Sequence, residues 1–195
     1  EGLVQKARES ALAAVQHYNN PTAVFRSGNY VVLMVIGYTA LLHAVLERDG
    51  VDYTVYGKNG APMLRSGKKM LWDMTRCIRF YAEHYASKYD AKYLTAVDAN
   101  LALMVPIRDA IEHRFMPHLD ADICGHCQSM LMNFERILLE EFTNYYSLNA
   151  SLSIALQFSS RRSPEAAGAL RRFHSAEYED LKQYITSFEA SLPDD

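Results

Sequence analysis

An arginine and a histidine five positions apart are the residues best suited to chemistry in this chain of 195 residues. Arg108 and His113 lie in the stretch 100–118, and Asp109 directly follows the arginine. A guanidinium group holds a phosphate with a planar fork of donors, and an imidazole transfers protons near neutral pH. The pair therefore predicts phosphodiester chemistry. Asp109 would orient one of the two side chains, and Glu112 is a weaker candidate.

The spacing of this pair constrains how a site can be built from it. On a regular helix, five positions correspond to a rotation of about 140°, so Arg108 and His113 do not share a face. The apolar repeat through Leu94, Val97 and Leu101 continues onto Arg108, which predicts an inward-facing arginine, although Pro106 can reset the register. A buried arginine is costly unless it is paired, so this position indicates a ligand or a structural ion pair. A two-fold dimer would bring each motif to its copy.

Composition predicts one soluble domain and gives no general sign of nucleic-acid binding. The chain is 49% hydrophobic, enough for a sizeable core, and its formal net charge is -3. Contact with RNA would therefore need a local basic patch. The candidates for RNA binding are Arg114, beside the histidine, and Arg76 and Arg79 on a predicted helix that also carries Lys68 and Lys69. The alternative for each of these charges is an ordinary solvated helix face.

Hydrophobic periodicity predicts a mainly α fold, a helical bundle with a small two-stranded accessory β element. The segments with helical spacing or capping residues are 3–17, 29–48, 66–87, 90–115 and 123–146, with Asn29 and Ser66 as the predicted caps of the second and third. A last helix begins at Ser163-Pro164-Glu165 and ends near Phe188. Two segments alternate apolar and polar residues, Val51–Tyr56 and Ser151–Phe158, and we expect them to pair as strands.

The same pattern suggests how the chain is divided. Residues 1–160 would form the bundle domain. Residues 161–195 would form a C-terminal amphipathic helix that docks on the bundle or leads into a further region.

Neither a membrane segment nor a secreted disulfide framework is predicted. The longest apolar run, Val31–Leu46, is short for a membrane span and contains Gly37, Thr39 and His43, so it is expected to be a core helix. Three cysteines, an odd number, favour a reducing compartment, and we expect a cytoplasmic protein that does not contact a membrane.

The sequence Cys124-Gly125-His126-Cys127 allows three interpretations. It looks like the redox motif of disulfide oxidoreductases, but that motif follows a strand in a βαβ unit, and no such unit is predicted here. The two cysteines with His118 or His126 would be an incomplete zinc set, because no second cysteine pair is present. The third interpretation is a helix start with Cys127 facing inward. The sequence predicts no metal and no cofactor.

Two stretches resemble the HEPN superfamily (higher eukaryotes and prokaryotes nucleotide-binding). The first is the R-x-x-x-x-H pattern of Arg108 and His113, with a polar residue after the arginine, late in a helical bundle. The second is residues 11–46, which are similar to the opening of a bacterial HEPN-like family with an N-x-P turn, an aromatic-arginine pair and a long apolar helix. The matching residues there are Asn19, Pro21, Phe25 and Arg26, and with the two predicted strands the resemblance covers most of residues 10–160.

The resemblance implies a metal-independent endoribonuclease of a bacterial defence or toxin system. By this likeness His113 acts as general base or acid, and Arg108 binds the scissile phosphate and its developing charge. The implied products carry 2′,3′-cyclic phosphate and 5′-hydroxyl ends. The implied assembly is a homodimer with both motifs at the interface, and an antitoxin or another defence-system protein is the implied partner.

One departure from the family pattern implies an active site that is weaker or differently supported. The second helix of the family often carries an acid after an aromatic residue and then a lysine, and both are missing from Gly37–His43. The alternative is a noncatalytic HEPN-like module that mediates dimerisation or binds a nucleotide and regulates a partner protein.

Overall fold

The structure is a computed structural model that describes residues 1–148 and 176–191. The described part is mainly helical, with a small antiparallel sheet, which confirms the predicted fold class. The helices are α1 (Gly2–Asn19), α2 (Arg26–Arg48), α3 (Met74–His84), α4 (Ala91–His113), α5 (Leu119–Asp122), α6 (Cys124–Glu141) and α7 (Ala176–Ser191). The strands are β1 (Leu64–Arg65) and β2 (Lys68–Lys69), and short 3-10 turns cover Ala86–Lys88 and Asn144–Tyr146.

Helix α2 is the centre of the bundle because it is apolar on nearly every side. Its residues Tyr30, Met34, Tyr38 and Leu41 are fully buried, and burying a large apolar side chain contributes about 1.5–3 kcal/mol. Helix α1 lies close along it, since a Cβ placed on Gly37 would be only 3.3 Å from the carbonyl oxygen of Ala7. By length and composition α2 could also cross a membrane, but 72% of its most apolar window is buried in the bundle. Such burial is what the core helix of a soluble protein shows.

A buried carboxylate fixes each end of α2, and both carboxylates come from the segment that contains α5 and α6. At the start of α2, Asp120 accepts hydrogen bonds from the N–H groups of Arg26 and Ser27 at 3.0 and 2.8 Å. At its end, Arg48 donates to Glu141 at 2.8 Å. Helices α2 and α6 therefore run parallel. The sequence predicted that Asn29 caps α2, which is wrong, because the helix begins three residues earlier at Arg26.

Two tyrosines hold α2 and α6 in register between these ends. The hydroxyl groups of Tyr30 and Tyr38 donate to the carbonyl oxygens of Cys127 and Met130 at 2.6 and 2.7 Å. Because both phenols are buried, each hydroxyl needs such a partner.

A glycine allows an aromatic ring to lie against the first turn of α2. A Cβ on Gly28 would be 2.6 Å from Cε1 of Phe25, so only glycine fits while the ring stays in place. The ring also makes an edge-to-face contact with Phe115, with centroids 5.7 Å apart. The start of α2 is thereby joined to the chain just beyond α4.

The segment before α3 is a hairpin rather than helix. Ser66 was predicted to cap a helix, but it lies in the turn between β1 and β2 with a φ of 51°, and α3 begins at Met74. The cap is Asp73, whose side chain accepts from the N–H of Arg76 at 2.8 Å. The predicted strand 51–56 contributes isolated bridges, Thr54 with Leu71 and Tyr56 with Pro62. Its predicted partner, 151–158, lies outside the described residues.

Helix α7 packs on the bundle near α4 and α6. Leu181 and Ile185 are buried, and His126 of α6 lies 2.9 Å from Glu189, measured from Nε2 to Oε1. The predicted helix start at 163–165 lies outside the described residues, and the division of the chain at residue 160 stays a prediction.

Replacing Glu141 by glutamine should lower the free energy of unfolding by about 3 kcal/mol, the lower end of the cost of breaking a buried charge pair. The lower end applies because the partners Arg48 and Lys88, at 2.8 and 2.7 Å, are partly exposed and can be hydrated. Burial alone would raise the pKa of Glu141, but hydrogen bonds from Lys88, Tyr81 and Arg48 outweigh it and lower the pKa.

The Glu141 carboxylate therefore contributes to the free energy of unfolding above the pKa of an unfolded glutamate, about 4.3. This contribution is lost as the pH falls through the lower pKa of Glu141 in the folded protein. Urea unfolding from neutral to acidic pH should show the difference between wild type and Glu141→Gln shrinking below about pH 4. The exposed neighbour Glu140 is the charge-matched control, and Glu140→Gln should leave stability nearly unchanged. A difference in unfolding free energy between wild type and Glu141→Gln that does not vary with pH would contradict this account.

Two glycine-to-alanine variants should change stability in opposite directions. Gly28→Ala forces the Phe25 ring out of its place and should lower the free energy of unfolding by about 1–2 kcal/mol. Gly125→Ala, in the first turn of α6, meets nothing within 4 Å. It should raise the free energy by about 0.5–1 kcal/mol through helix propensity. Urea midpoints measure both, and a stabilised Gly28→Ala would show that the ring position is not constrained.

Candidate functional site

The predicted motif lies at the end of an unbroken helix. Helix α4 runs from Ala91 to His113 with Pro106 inside it, so the helix continues without a restart from Arg108 to His113. The two residues remain about 140° apart around the helix axis. Within one chain the structure does not place them on one helix face.

Arg108 does not face inward, contrary to the sequence prediction. The buried face of α4 passes through Leu101, Met104 and Ile107 in steps of three, so Ile107 takes the inward position. The Arg108 side chain is 30% exposed and donates from Nη1 to Glu112 at 2.8 Å. Its Nε lies 3.3 Å from Oδ1 of Asp109, but this nitrogen is buried and makes no hydrogen bond within the described residues. Arg108 is thus hydrogen-bonded to one acid of its own helix and lies beside a second, and a role for Asp109 in orienting it stays a prediction.

His113 and Arg114 line a surface pocket of about 600 Å³. The opposite wall comes from the end of α1 and the start of α2, and Arg108 and Asp109 do not belong to the lining. The side chains that give the pocket its chemical character are His17, Phe25, Asn29, Glu112, His113, Arg114 and Phe115. The pocket therefore joins one predicted catalytic residue with one predicted RNA-binding residue.

A second histidine, His17, lies in the same pocket. It stands in the last turn of α1 and is half-buried, and its Nε2 lies 3.2 Å from Nδ2 of Asn29. The neighbouring Tyr18 is buried against Tyr30, with ring centroids 5.4 Å apart, so this end of α1 is anchored to α2. Two imidazoles and a guanidinium in one pocket can move protons and bind an anion.

Sequence reasoning gave no role to His17 and treated Asn29 only as a helix cap. The nearest signal was the Asn19-Asn20-Pro21 turn, which directly follows the helix that carries His17. That turn reverses the chain and brings α2 back along α1. A single sequence does not reveal that the end of α4 also reaches this place.

The charge of the pocket depends on Arg114 and on the Arg108–Glu112 pair. Glu112 lines the pocket, but its carboxylate is paired with Arg108 at 2.8 Å. The end of α4 adds a partial negative charge, and the first N–H groups of α2 already donate to Asp120. Arg114 is thus the arginine that lines the pocket, while Arg108 balances Glu112.

The other predicted RNA-binding residues lie elsewhere. Arg76 and Arg79 are exposed on α3, and the Arg76 guanidinium carbon lies 4.4 Å from the centre of the Trp72 ring. Trp72 is tied to α2 through its carbonyl oxygen, 2.8 Å from Nε2 of His43. His43 is fourteen positions after Asn29, a distance of about 21 Å along a helix. The structure thus separates this basic patch from the pocket.

The Cys124-Gly125-His126-Cys127 sequence forms the first turn of α6, and Cys127 faces inward, as the third interpretation predicted. Burial raises the pKa of the Cys127 thiol well above its usual value, which disfavours the thiolate needed for redox or metal chemistry. His126 is paired with Glu189. In residues 1–148 and 176–191, no three His, Cys, Asp or Glu side chains are grouped to hold a metal ion.

Comparison with known proteins gives a family and no function. No curated protein and no solved structure matched the chain. The model of one family matches residues 2–192, nearly the whole sequence. The chain therefore belongs to the family described as domain of unknown function DUF3644.

Proposed function

We propose that the protein is a metal-independent endoribonuclease whose active site is the pocket at the end of α4. The observation that carries the proposal is that His113 and Arg114 line one pocket of about 600 Å³. Cleavage by the RNA 2′-hydroxyl needs a group that moves protons and a cation that stabilises the phosphorane charge. The products would be a 2′,3′-cyclic phosphate and a 5′-hydroxyl end.

In this proposal the arginine roles differ from those implied by the HEPN resemblance. Arg114, which lines the pocket, binds the scissile phosphate. Arg108 supports the site by neutralising Glu112, its partner at 2.8 Å. His113 transfers a proton at the 2′-hydroxyl or at the leaving oxygen. The apolar wall of Phe25 and Phe115 offers a face for a base.

The proposed setting is that of a bacterial defence or toxin system of HEPN type. We expect a cytoplasmic homodimer restrained by an antitoxin or another defence-system protein. The exposed apolar side chains at the pocket support an interaction there, since Phe115 is 70% and Val24 is 67% exposed.

A second candidate is a noncatalytic HEPN-like module that binds a nucleotide and regulates a partner. The position of Arg108 favours it, because the arginine of the motif is engaged by Glu112 and Asp109 on its own helix. An arginine, two histidines and two phenylalanines would suffice to bind a nucleotide. Binding of a mononucleotide without cleavage of any RNA would support this module.

The purified protein should cleave RNA in the presence of EDTA, and His113→Ala should lower the rate by about 10²–10⁴-fold, the usual contribution of a general acid or base. The assay follows total RNA and tRNA on gels and identifies the ends by mass spectrometry. His84→Ala is the matched control, because His84 is also an exposed histidine that ends a helix. An equal loss of cleavage rate in His113→Ala and His84→Ala, or cleavage only with added metal, would contradict the proposal.

Arg108→Ala should reduce cleavage, and Glu112→Gln should restore much of the loss in the double variant. The reason is that Glu112, left unpaired, repels the substrate phosphate from the pocket. A loss of about tenfold corresponds to 1.4 kcal/mol, the scale of one partly exposed charge.

The measured quantity is the RNA concentration for half-maximal rate, since lost charge balance weakens binding. If Arg108 instead bound the scissile phosphate directly, Glu112→Gln would not restore the activity of Arg108→Ala. Asp109→Asn is the neighbouring control, since Asp109 contacts Arg108 but does not line the pocket.

A further inference from the structure

We propose that His17 is a second catalytic residue, so that RNA cleavage uses two histidines, His17 and His113, from the same chain. The inference rests on the ribonuclease function proposed above and extends it. Neither the spacing of the motif nor the family match points to His17. The structure brings it to the pocket because α1 and α4 end at the same place.

The surroundings of His17 suit proton transfer. Its Nε2 contacts the amide of Asn29 at 3.2 Å, while Nδ1 has no hydrogen-bond partner within residues 1–148 and 176–191. With the amide nitrogen donating, Nε2 accepts and Nδ1 carries the proton of the neutral ring. Turning the Asn29 amide so that its oxygen accepts from Nε2–H leaves Nδ1 with the lone pair that a base needs. His84 shows the opposite arrangement, because its Nδ1 lies 2.9 Å from the carbonyl oxygen of Phe80 in its own helix.

The groups around the imidazole do not give it another role. Glu112 lines the same pocket, but Arg108 holds its carboxylate. Arg114 provides a positive charge, and Phe25 and Phe115 form an apolar wall on one side. His17 forms no ion pair in the described part of the chain, so a structural salt bridge does not account for it.

The reaction balances with two imidazoles and no further reactant. One neutral imidazole takes the proton of the 2′-hydroxyl as its oxygen bonds to phosphorus. The bond from phosphorus to the 5′-oxygen then breaks, and the second imidazole, initially protonated, gives its proton to that oxygen. The cyclic phosphate and the 5′-hydroxyl leave. The protonated base then gives its proton to water and the acid takes one from water, which restores both imidazoles. Arg114 stabilises the charge on the phosphate oxygens throughout.

The pH profile distinguishes proton transfer from a merely structural role. Wild type should give a bell-shaped rate between about pH 5 and 9, because one imidazole must be neutral and the other charged. His17→Gln should lose one limb of the bell and about 10²–10³-fold in rate. His84→Gln should keep both limbs. A His17→Gln variant with the wild-type rate and both limbs would overturn the inference while leaving the ribonuclease proposal intact.

An activated substrate assigns the two roles. Uridine 3′-(4-nitrophenyl phosphate) has a leaving group that departs without protonation, so a variant lacking only the acid should cleave it at nearly the wild-type rate. A variant lacking the base should be slow on both substrates. We expect His17→Gln and His113→Gln to differ in the ratio of their rates on the activated substrate and on RNA. The same ratio in both variants would overturn the assignment of two distinct proton-transfer groups. No cleavage of either substrate by wild type would overturn the ribonuclease function and this inference together.

Mixing the two variants tests whether both histidines act within one chain. If they do, combining His17→Gln with His113→Gln protein restores no activity, because every pocket lacks one group. Recovery of about a quarter to a half of the wild-type rate would show that the site is shared across a dimer, and would overturn the same-chain assignment. Circular dichroism confirms that each variant is folded.

Discussion

The fold depends on how the ends of one buried helix are satisfied. Helix α2 carries N–H groups at its start and carbonyl groups at its end that have no partner within the helix. The N–H groups at the start donate to Asp120. At the end, backbone N–H groups of the following turn donate to the carbonyl groups, and the Arg48 side chain donates to Glu141. Since both acids flank α6, they also set the direction of α6 and its register on α2. Loss of either acid would affect more than one helix end, because each connects elements more than ninety positions apart in the chain.

The pocket is a consequence of this arrangement. Asp120 fixes the first turn of α2, and that turn places Phe25 and Asn29 opposite the end of α4. The same carboxylate uses the N–H groups that a helix start would otherwise offer to an anion. A phosphate in this pocket would therefore depend on the Arg114 guanidinium. The pairing of Arg108 with Glu112 then matters because it removes a negative charge from the wall.

Local patterns predicted the elements well where periodicity was strong and failed where a distant residue decides the outcome. The repeat through Leu94, Val97 and Leu101 did mark the buried face of α4. The same repeat failed at Arg108, because steps of three from Leu101 carry the buried face to Ile107. Ser66 resembled a helix cap, yet pairing of β1 with β2 places it in a turn. The start of α2 could not be located from its own sequence, since Asp120, its capping acid, lies over ninety positions away.

The linear motif ends at the pocket, but helix geometry limits what such a motif can contain. Two residues on a continuous helix keep the rotation that their spacing dictates, so Arg108 cannot approach His113 by backbone adjustment. The helical rotation does not fix the direction of Arg114, because the backbone has left the helix and is extended there, with φ -146° and ψ 146°. Neighbouring side chains at a helix end can therefore enter one pocket, whereas side chains five apart within the helix cannot. The same reasoning applies to His17, which lies in the last turn of α1. Residues that meet at the ends of different helices produce little periodic signal in the sequence. This is why the contribution of His17 and Asn29 to the pocket became visible only in the structure.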